Sequence, residues 1–325
     1  MTDLQPDEFA RRLSQVRTEV GKVIVGQAEL VDTVLMATLC EGHVLIEGVP
    51  GLGKTKLLST LGSTLSVEFG RIQFTPDLMP ADILGTKVLE DGRFEFSAGP
   101  VFANLVLADE INRATPKTQS ALLEAMQERT VTLAGEVHRL PRPFMVMATQ
   151  NPIEQEGTYP LPEAQLDRFM FKALAGFPPG DELVEILRRT TTAHDATADP
   201  VLDGVTLQQM SALVRAVPVG THLLRYAATL VEATHPSSPL APERVRTYVR
   251  NGASPRGAQA LIMGGKAAAL MDGRVNVAAD DLRAIAGQCL RHRLVLGYEA
   301  IADRIGADDL ISDVLAHHPA PLVEG

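Results

Sequence analysis

The chain has 325 residues, enough for two domains of ordinary size. Hydrophobic residues make up 45% and charged residues 22%, which is typical of a soluble globular protein. The formal net charge of −10 and the lack of a basic run argue against a general nucleic-acid binder, which neutralises phosphates with Lys and Arg. The N-terminal sequence is acidic and polar, and no apolar run approaches the roughly 20 residues of a membrane span. We therefore expect a cytoplasmic protein without a membrane span.

The first half of the chain alternates helical and strand patterns. Apolar residues recur with the helical period over residues 4–22, 28–40, 54–65 and 116–128. Short apolar or alternating runs predict strands over residues 43–47, 67–74, 105–108 and 144–148. Strands that alternate with helices indicate βαβ units and a parallel sheet flanked by helices. Residues 86–96 and 130–140 interrupt this order and are predicted to form two β-hairpins.

The second half of the chain has a different pattern. A helix is expected from residue 181 to 189, followed by a polar stretch rich in helix-breaking residues up to residue 200. Beyond it the periodicity predicts helices over 207–217, 221–233, 256–271 and 280–294, and no convincing strand. The sequence thus predicts an α/β domain over 1–180, a linker over 181–200 and an all-helical domain over 201–325.

A glycine-rich loop follows the first predicted strand and precedes a predicted helix. It matches the pattern G-x-x-x-x-G-K-[S/T] in full, with Gly48, Val49, Pro50, Gly51, Leu52, Gly53, Lys54 and Thr55. Glycines let successive backbone N–H groups face phosphate oxygens at a helix N-terminus, which itself favours anions. Lys54 would contact the β- and γ-phosphates, and the Thr55 hydroxyl would ligate Mg²⁺. The alternative is a glycine loop followed by Lys-Thr by chance.

Two adjacent carboxylates, Asp109 and Glu110, end the apolar strand at 105–108. At the C-terminal edge of a parallel sheet, Asp109 could hold the Mg²⁺ that bridges the phosphates. Glu110 is then a candidate base that activates water for attack on the γ-phosphate. Acidic residues after a strand are also common as helix caps, but a P-loop in the same chain favours the catalytic interpretation. Because the sequence lacks a guanine-reading Asn-Lys-x-Asp segment, we expect ATP and Mg²⁺.

Several segments resemble the AAA+ superfamily, and within it the MoxR family. They are residues 47–51, 109–117, 119–128, 148–152, 166–169 and 252–256. The resemblance covers almost the whole chain. It implies a P-loop ATPase core with two hairpin insertions and a helical lid, usually assembled as a hexameric ring.

The resemblance also implies roles for two residues that the patterns alone do not assign. Asn151 corresponds to sensor 1, which contacts the γ-phosphate or positions the attacking water; the alternative is an Asn that turns the chain before Pro152. Arg168 corresponds to the arginine finger, which reaches the nucleotide of a neighbouring subunit and is typically worth about 10³–10⁵ in rate. The alternative for Arg168 is a surface salt bridge beside Asp167.

Arg256 corresponds to sensor 2 of the same superfamily. Ser254 and Pro255 before it read as an N-cap and a first helical residue. A cation in the first turn opposes the helix dipole, so Arg256 is better placed if it faces phosphate. Whether it serves its own nucleotide or that of a neighbour stays open.

Three further residues, Val25, Gly26 and Gln27, match the segment that packs on adenine in this superfamily. The alternative is a simple turn into the next helix. Arg113 is interpreted as a structural or interface ion pair and is not assigned to catalysis.

Two functions fit these features. The first is a chaperone-like ATPase that remodels or activates protein clients, as MoxR-type proteins are thought to do in metal-cofactor insertion or complex assembly, often with a partner bearing a von Willebrand A domain. The second is a nucleic-acid motor of the same AAA+ branch. The predicted hairpin tips are acidic or mixed in charge rather than rich in Lys and Arg, which favours the protein client.

Overall fold

The computed structural model describes residues 4–48, 51–90, 92–151, 157–192 and 196–321. Val49, Pro50, Asp91 and Pro152 lie outside these ranges. The chain packs into two compact units. We call Arg11–Leu161 with Ala173–Met210 the core unit, and Met1–Ala10, Pro162–Lys172 and Ser211–Gly325 the helical unit. The domain limits at residues 180 and 200 stay a prediction.

A five-stranded sheet forms the centre of the core unit. Its strands are β1 (Val44–Gly48), β2 (Phe69–Gln73), β5 (Leu105–Asp109), β8 (Met145–Gln150) and β9 (Phe171–Ala175). They lie in the order β2-β5-β8-β1-β9. The pairs β2–β5, β5–β8 and β8–β1 are parallel. The central strands are apolar along their length because a parallel sheet is covered on both faces. The predicted parallel sheet is confirmed, and β9 is a strand that the sequence patterns did not indicate.

Helices connect these strands. In the first 216 residues they are α1 (Pro6–Val23), α2 (Ala28–Leu39), α3 (Lys54–Thr64), α4 (Pro80–Leu84), α5 (Pro116–Glu128), α6 (Glu163–Leu166), α7 (Gly180–Thr190) and α8 (Gly204–Ala216). A 3-10 turn over Ile111–Arg113 precedes α5. Helix α5 has the predicted bounds. Pro116 is favoured in the first turn of a helix, and Arg129, directly after Glu128, adopts a left-handed conformation that ends the helix.

Two antiparallel hairpins are inserted into the core unit, as predicted. The first consists of β3 (Gly85–Glu90) and β4 (Arg93–Ala98), and the second of β6 (Thr130–Leu133) and β7 (Glu136–Arg139). They contact each other: the rings of Phe96 and His138 stack with centroids 3.9 Å apart, and Lys87 Nζ lies 3.1 Å from Glu136 Oε2. An aromatic contact and an ion pair therefore join the two insertions.

The remaining elements belong to the helical unit. They are α9 (Thr221–Glu232), α10 (Glu243–Tyr248), β10 (Val249–Asn251), α11 (Pro255–Met271), α12 (Ala279–Ala284), α13 (Ala286–Leu290), β11 (Val295–Leu296), α14 (Tyr298–Ala302) and α15 (Ala307–His317). The helix predicted over 280–294 was wrong as one element: it breaks at Ile285, whose ψ of 0° is not helical. The prediction of no strand also missed the short antiparallel pair β10–β11. Within the described residues, no helix combines the length and apolarity needed to cross a membrane.

Candidate functional site

The sequence motifs meet at the C-terminal edge of the central sheet. Strands β5, β8 and β1 are neighbours and end at Asp109, Gln150 and Gly48. Beyond them lies a cleft of about 460 Å³, within the size range of ligand pockets. Its lining includes the predicted residues Gly48, Gly51, Leu52, Gly53, Lys54, Thr55, Asp109, Glu110 and Asn151. The chain therefore brings together every described P-loop residue, both adjacent carboxylates and Asn151.

The P-loop leads directly into helix α3. Gly51 and Gly53 have φ angles of +83° and +72°, a conformation that a side chain would strain. The Lys54 Nζ donates a hydrogen bond to the Gly48 carbonyl at 2.9 Å, which folds the lysine back over the loop. Burial lowers the pKa of Lys54, while the charges of Asp109 and Glu110 act in the opposite direction. A half-buried ammonium at a helix N-terminus suits the binding of an anion.

Asp109 has two partners on neighbouring strands. Arg71 on β2 donates to its Oδ2 at 2.8 Å, and the Thr149 hydroxyl on β8 donates to its Oδ1 at 2.8 Å. Thr149 is buried, and its oxygen also accepts the backbone N–H of Glu110 at 2.8 Å. One hydroxyl thus orients both carboxylate residues.

Glu110 has a backbone conformation that is rare for a residue with a side chain, with φ of 58° and ψ of 50°. Its Oε2 accepts hydrogen bonds from Gln73 Nε2 at 3.2 Å and from Arg113 NH1 at 2.8 Å. Strained backbone is typical of functional sites, where surrounding contacts maintain it. The ion pair expected of Arg113 is confirmed, and its partner is the candidate base itself.

The oxygen atoms in the cleft fit Mg²⁺. Thr55 and Asp109 both line it, and hydroxyl and carboxylate oxygens are the ligands that this ion prefers. No group of three or more His, Cys, Asp or Glu side chains arranged for a metal occurs in the described part of the chain. Mg²⁺ bound with nucleotides needs no such cage, because phosphates and water complete its shell. A cation at Asp109 would compete with Arg71 for Oδ2.

A second pocket, of about 290 Å³, adjoins the P-loop. It shares Gly51, Leu52 and Gly53 with the cleft, and its apolar lining comes from Val23, Ile24, Val25, Phe177, Pro178, Leu183 and Ile186. Gln27 also lines it; its Nε2 donates to the Leu52 carbonyl at 3.0 Å. The Gln27 Oε1 is buried and lacks a hydrogen-bond partner among the residues described. The pocket can therefore bury a flat apolar group that carries a hydrogen-bond donor.

Gly26 has a different position from its neighbours. It is not among the lining residues of this pocket, and its φ is +63°. A Cβ there would lie 2.0 Å from Glu182 Oε2, so the glycine allows close approach of that carboxylate.

Arg168 and Arg256 both belong to the helical unit, where they line a cleft of about 180 Å³. Asp167 lines the same cleft, and its Oδ2 lies 3.4 Å from Arg256 NH1. The predicted N-cap is confirmed, because Ser254 Oγ accepts the Arg256 backbone N–H at 3.2 Å and α11 begins at Pro255. The Asp167 carboxylate offsets the unfavourable helix-dipole position of Arg256, a compensation that the sequence did not indicate.

The comparisons with known proteins agree with this geometry. Residues 43–171 match the ATPase family associated with various cellular activities (AAA), and residues 241–314 match the AAA lid domain. The chain is 45% identical to "Chaperone MoxR1" of Mycobacterium tuberculosis over 94% of this chain and 81% of that protein. It is 33% identical to "Protein MoxR" of Paracoccus denitrificans over 98% and 99% of the two chains. The chain is a member of the MoxR family of AAA+ ATPases.

The fold of this MoxR-family ATPase is shared with a solved structure. That structure, described as a candidate ATPase from Cytophaga hutchinsonii, superposes with a TM-score of 0.92 and 39% identity, covering 97% of this chain and 96% of the other. The predicted P-loop AAA+ core with a helical lid is thus confirmed.

Four polar residues around the candidate sites of the MoxR-family ATPase were missed by sequence reasoning: Arg71, Gln73, Thr149 and Arg293. Arg71 and Gln73 alternate along a predicted strand and could have been read only as solvent-facing positions. Thr149 directly precedes Gln150 in the segment that carries the family resemblance, which is the one signal that could have found it. No sequence pattern around Arg293 indicates a role at a site.

Proposed function

We propose that this AAA+ ATPase binds MgATP at the cleft of the core unit and uses its hydrolysis to remodel or activate protein clients. The observation that supports it is the meeting of the P-loop, the Asp109–Glu110 pair and Asn151 at one sheet edge beside an apolar pocket. In this proposal the phosphates bind at Gly51, Gly53 and Lys54.

The adenine ring occupies the apolar pocket in this proposal. Val25 and Gln27 line the pocket, and Gly26 shapes the turn that carries them. The unpartnered Gln27 Oε1 is an acceptor of the kind that an exocyclic amino group would satisfy. Val49 and Pro50 complete the P-loop by sequence.

Glu110 serves as the base that takes a proton from the attacking water. Its bonds to Gln73 and Arg113 orient the carboxylate, and Thr149 holds the backbone beneath it. Asn151, which lines the cleft, positions the water or contacts the γ-phosphate. Thr55 and Asp109 would hold Mg²⁺, which would supply positive charge to the phosphate oxygens.

Arg168 and Arg256 supply further positive charge to the phosphates in this proposal. Arg168 acts as an arginine finger, which requires a neighbouring subunit, so a homo-oligomer, hexameric by family resemblance, is part of the proposal. We also expect a cytoplasmic location and a partner with a von Willebrand A domain, as the resemblance implies. Metal-cofactor insertion or complex assembly is the proposed use of the remodelling.

The hairpins favour a protein client over a nucleic acid. Leu89, Phe94 and Val137 are exposed large apolar residues on the two hairpins. Such side chains suit contact with an extended polypeptide, whereas tracking along DNA or RNA needs positive charge. The hairpin sequences carry no excess of Lys and Arg.

The first test measures steady-state ATP hydrolysis per protomer, with Mg²⁺, as protein concentration rises. We expect a rate that climbs and saturates, and a loss on the order of 10²–10⁴-fold in Glu110→Gln with ADP binding retained. The matched control is Glu124→Gln, an exposed residue of α5 outside the cleft lining. Hydrolysis that survives Glu110→Gln would refute the assigned role.

The client is tested by stimulation of hydrolysis. We expect an unfolded polypeptide to raise the rate, and Phe94→Ser to reduce that effect without lowering the basal rate. Stimulation by single-stranded DNA and none by polypeptide would instead support the nucleic-acid motor.

A further inference from the structure

A buried arginine of the helical unit, Arg293, is bonded through its whole guanidinium group. Its side chain is 2% exposed. The Nε donates to Asp167 Oδ1 at 2.8 Å, NH1 donates to the carbonyls of Met170 at 3.2 Å and Cys289, and NH2 donates to the carbonyls of Asp167 at 3.3 Å and Phe169 at 2.7 Å. A guanidinium has five N–H donors, so this network uses the full donor capacity of the side chain.

All of these bonds except the one to Cys289 converge on residues 167–170, the segment that carries Arg168. The neighbours of Arg293 add to them: His292 Nε2 lies 3.0 Å from the Phe169 carbonyl, and Arg291 NH1 donates to the Lys172 carbonyl at 3.0 Å. Burial lowers the pKa of His292 well below its usual range, so the ring is neutral near pH 7 and donates its Nε2 proton. Three consecutive side chains therefore fix the backbone on both sides of Arg168.

The same network reaches Arg256 through Asp167. Ser254 Oγ lies 2.8 and 2.9 Å from the two carboxylate oxygens of Asp167, and it also caps the helix that begins beside Arg256. Arg256 NH1 itself lies 3.4 Å from Asp167 Oδ2. Asp167 thus connects Arg293 on one side with Ser254 and Arg256 on the other.

A merely structural role would not explain the choice of this residue. Burying an arginine–carboxylate pair costs desolvation energy, and well-packed apolar residues often stabilise a fold equally well. What the pair adds is geometry, because a planar fork with five donors fixes several acceptors at once, which a lysine cannot do.

We propose that Arg293 is a positioning residue for ATP hydrolysis: through Asp167 and the carbonyls of residues 167–170 it fixes Arg168 and Arg256 in one rigid arrangement. The proposal rests on the proposed function, which assigns those two arginines to the phosphates. Arg293 acts only through them and contacts neither substrate nor reacting atoms.

The test compares Arg293→Lys with Arg283→Lys as a matched control. Arg283 also donates to carbonyls of the helical unit, those of Leu315 and His318, and its hydrogen bonds in the described part of the chain do not involve residues 167–170. For Arg293→Lys we expect kcat to fall on the order of 10²-fold, the effect of a misplacement of about 1 Å. Binding of a fluorescent ADP and the ring size should stay close to those of wild type, and Arg283→Lys should keep its kcat.

A triple variant separates positioning from general loss of structure. If Arg293 acts through Arg168 and Arg256, adding Arg293→Lys to Arg168→Ala with Arg256→Ala should cause little further loss of kcat, because both positioned groups are already absent. Losses that multiply in the triple variant, or an Arg293→Lys kcat equal to that of Arg283→Lys, would overturn the proposal.

A less disruptive variant tests the network without removing the buried Arg293. Ser254→Ala keeps Arg293 but removes the bond between Asp167 and the start of α11, and we expect a smaller loss of kcat with ADP binding unchanged; no loss would count against the network. Wild-type protein without hydrolysis would overturn the proposed function itself. Active wild type, with Arg168→Ala and Arg256→Ala each losing kcat while Arg293→Lys keeps it, would refute this inference alone.

Discussion

Lowering the pH should destabilise the core unit through His43, which lies just before β1. The ring is buried beside Phe144, its Nε2 lies 3.1 Å from the Met126 carbonyl, and its Nδ1 accepts the Val146 backbone N–H at 3.0 Å. Burial lowers its pKa from 6.5 to about 4; the charge of Arg129 acts in the same direction, and the Met126 carbonyl opposes it. The fold therefore requires the neutral imidazole.

The sign and size of the effect follow from proton linkage. Between pH 6.5 and pH 4 the unfolded chain binds the proton and the folded chain does not, so stability is complete above pH 6.5 and is lost as the pH falls. The full interval corresponds to roughly 3 kcal/mol, and the loss between pH 7.5 and pH 5 is about 2 kcal/mol.

The assay is urea unfolding followed by far-UV circular dichroism at several pH values, because the chain contains no Trp. The variant His43→Gln keeps a donor and an acceptor but cannot titrate. Protonation of His292 should also destabilise the fold as the pH falls. The informative quantity is therefore the difference in unfolding free energy between wild type and the His43→Gln variant. We expect that difference to shift by about 2 kcal/mol against the wild type on acidification. A difference that stays constant from pH 7.5 to pH 5 would refute the reasoning.

Three further changes have expected outcomes. Thr149→Val removes the hydroxyl that bonds Asp109 and the Glu110 backbone, so kcat should fall on the order of 10-fold or more while binding of a fluorescent ADP persists. Gly48→Ala places a Cβ 2.5 Å from the Ala175 carbonyl and should cost about 1–3 kcal/mol in urea unfolding, whereas Gly21→Ala, with open space around it, should not. Phe177→Ser removes apolar lining beside the P-loop and should weaken ADP binding in a fluorescence titration. An unchanged affinity would mean that the adenine ring binds outside this pocket.

The sequence predicted those features that depend on local pattern. The P-loop, the strand ending at Asp109 and helix α5 each carry their signal within a dozen residues, in periodicity, glycine spacing or a first-turn proline. Strand β9 was missed because Phe171–Ala175 alternates only weakly and follows a segment rich in turns. The break at Ile285 was missed because the residues on either side have a helical period.

The missed site residues depend on long-range contacts. Arg71 meets Asp109 because β2 and β5 are neighbours in the sheet, and Arg293 meets Asp167 across 126 residues of sequence. An isolated arginine in a helical or strand pattern reads as a solvated charge until the fold shows its partner. Networks that orient functional groups are for this reason less visible in sequence than the groups themselves.

The contact between the two hairpins limits how the chain can be redesigned. Phe96 on one insertion stacks on His138 of the other, and Lys87 pairs with Glu136 across the same gap. Exchanging one hairpin for that of a relative would leave an unmatched ring and an unmatched charge on the one that stays. A chimaera intended to change client preference therefore has to transplant both insertions as a single cassette.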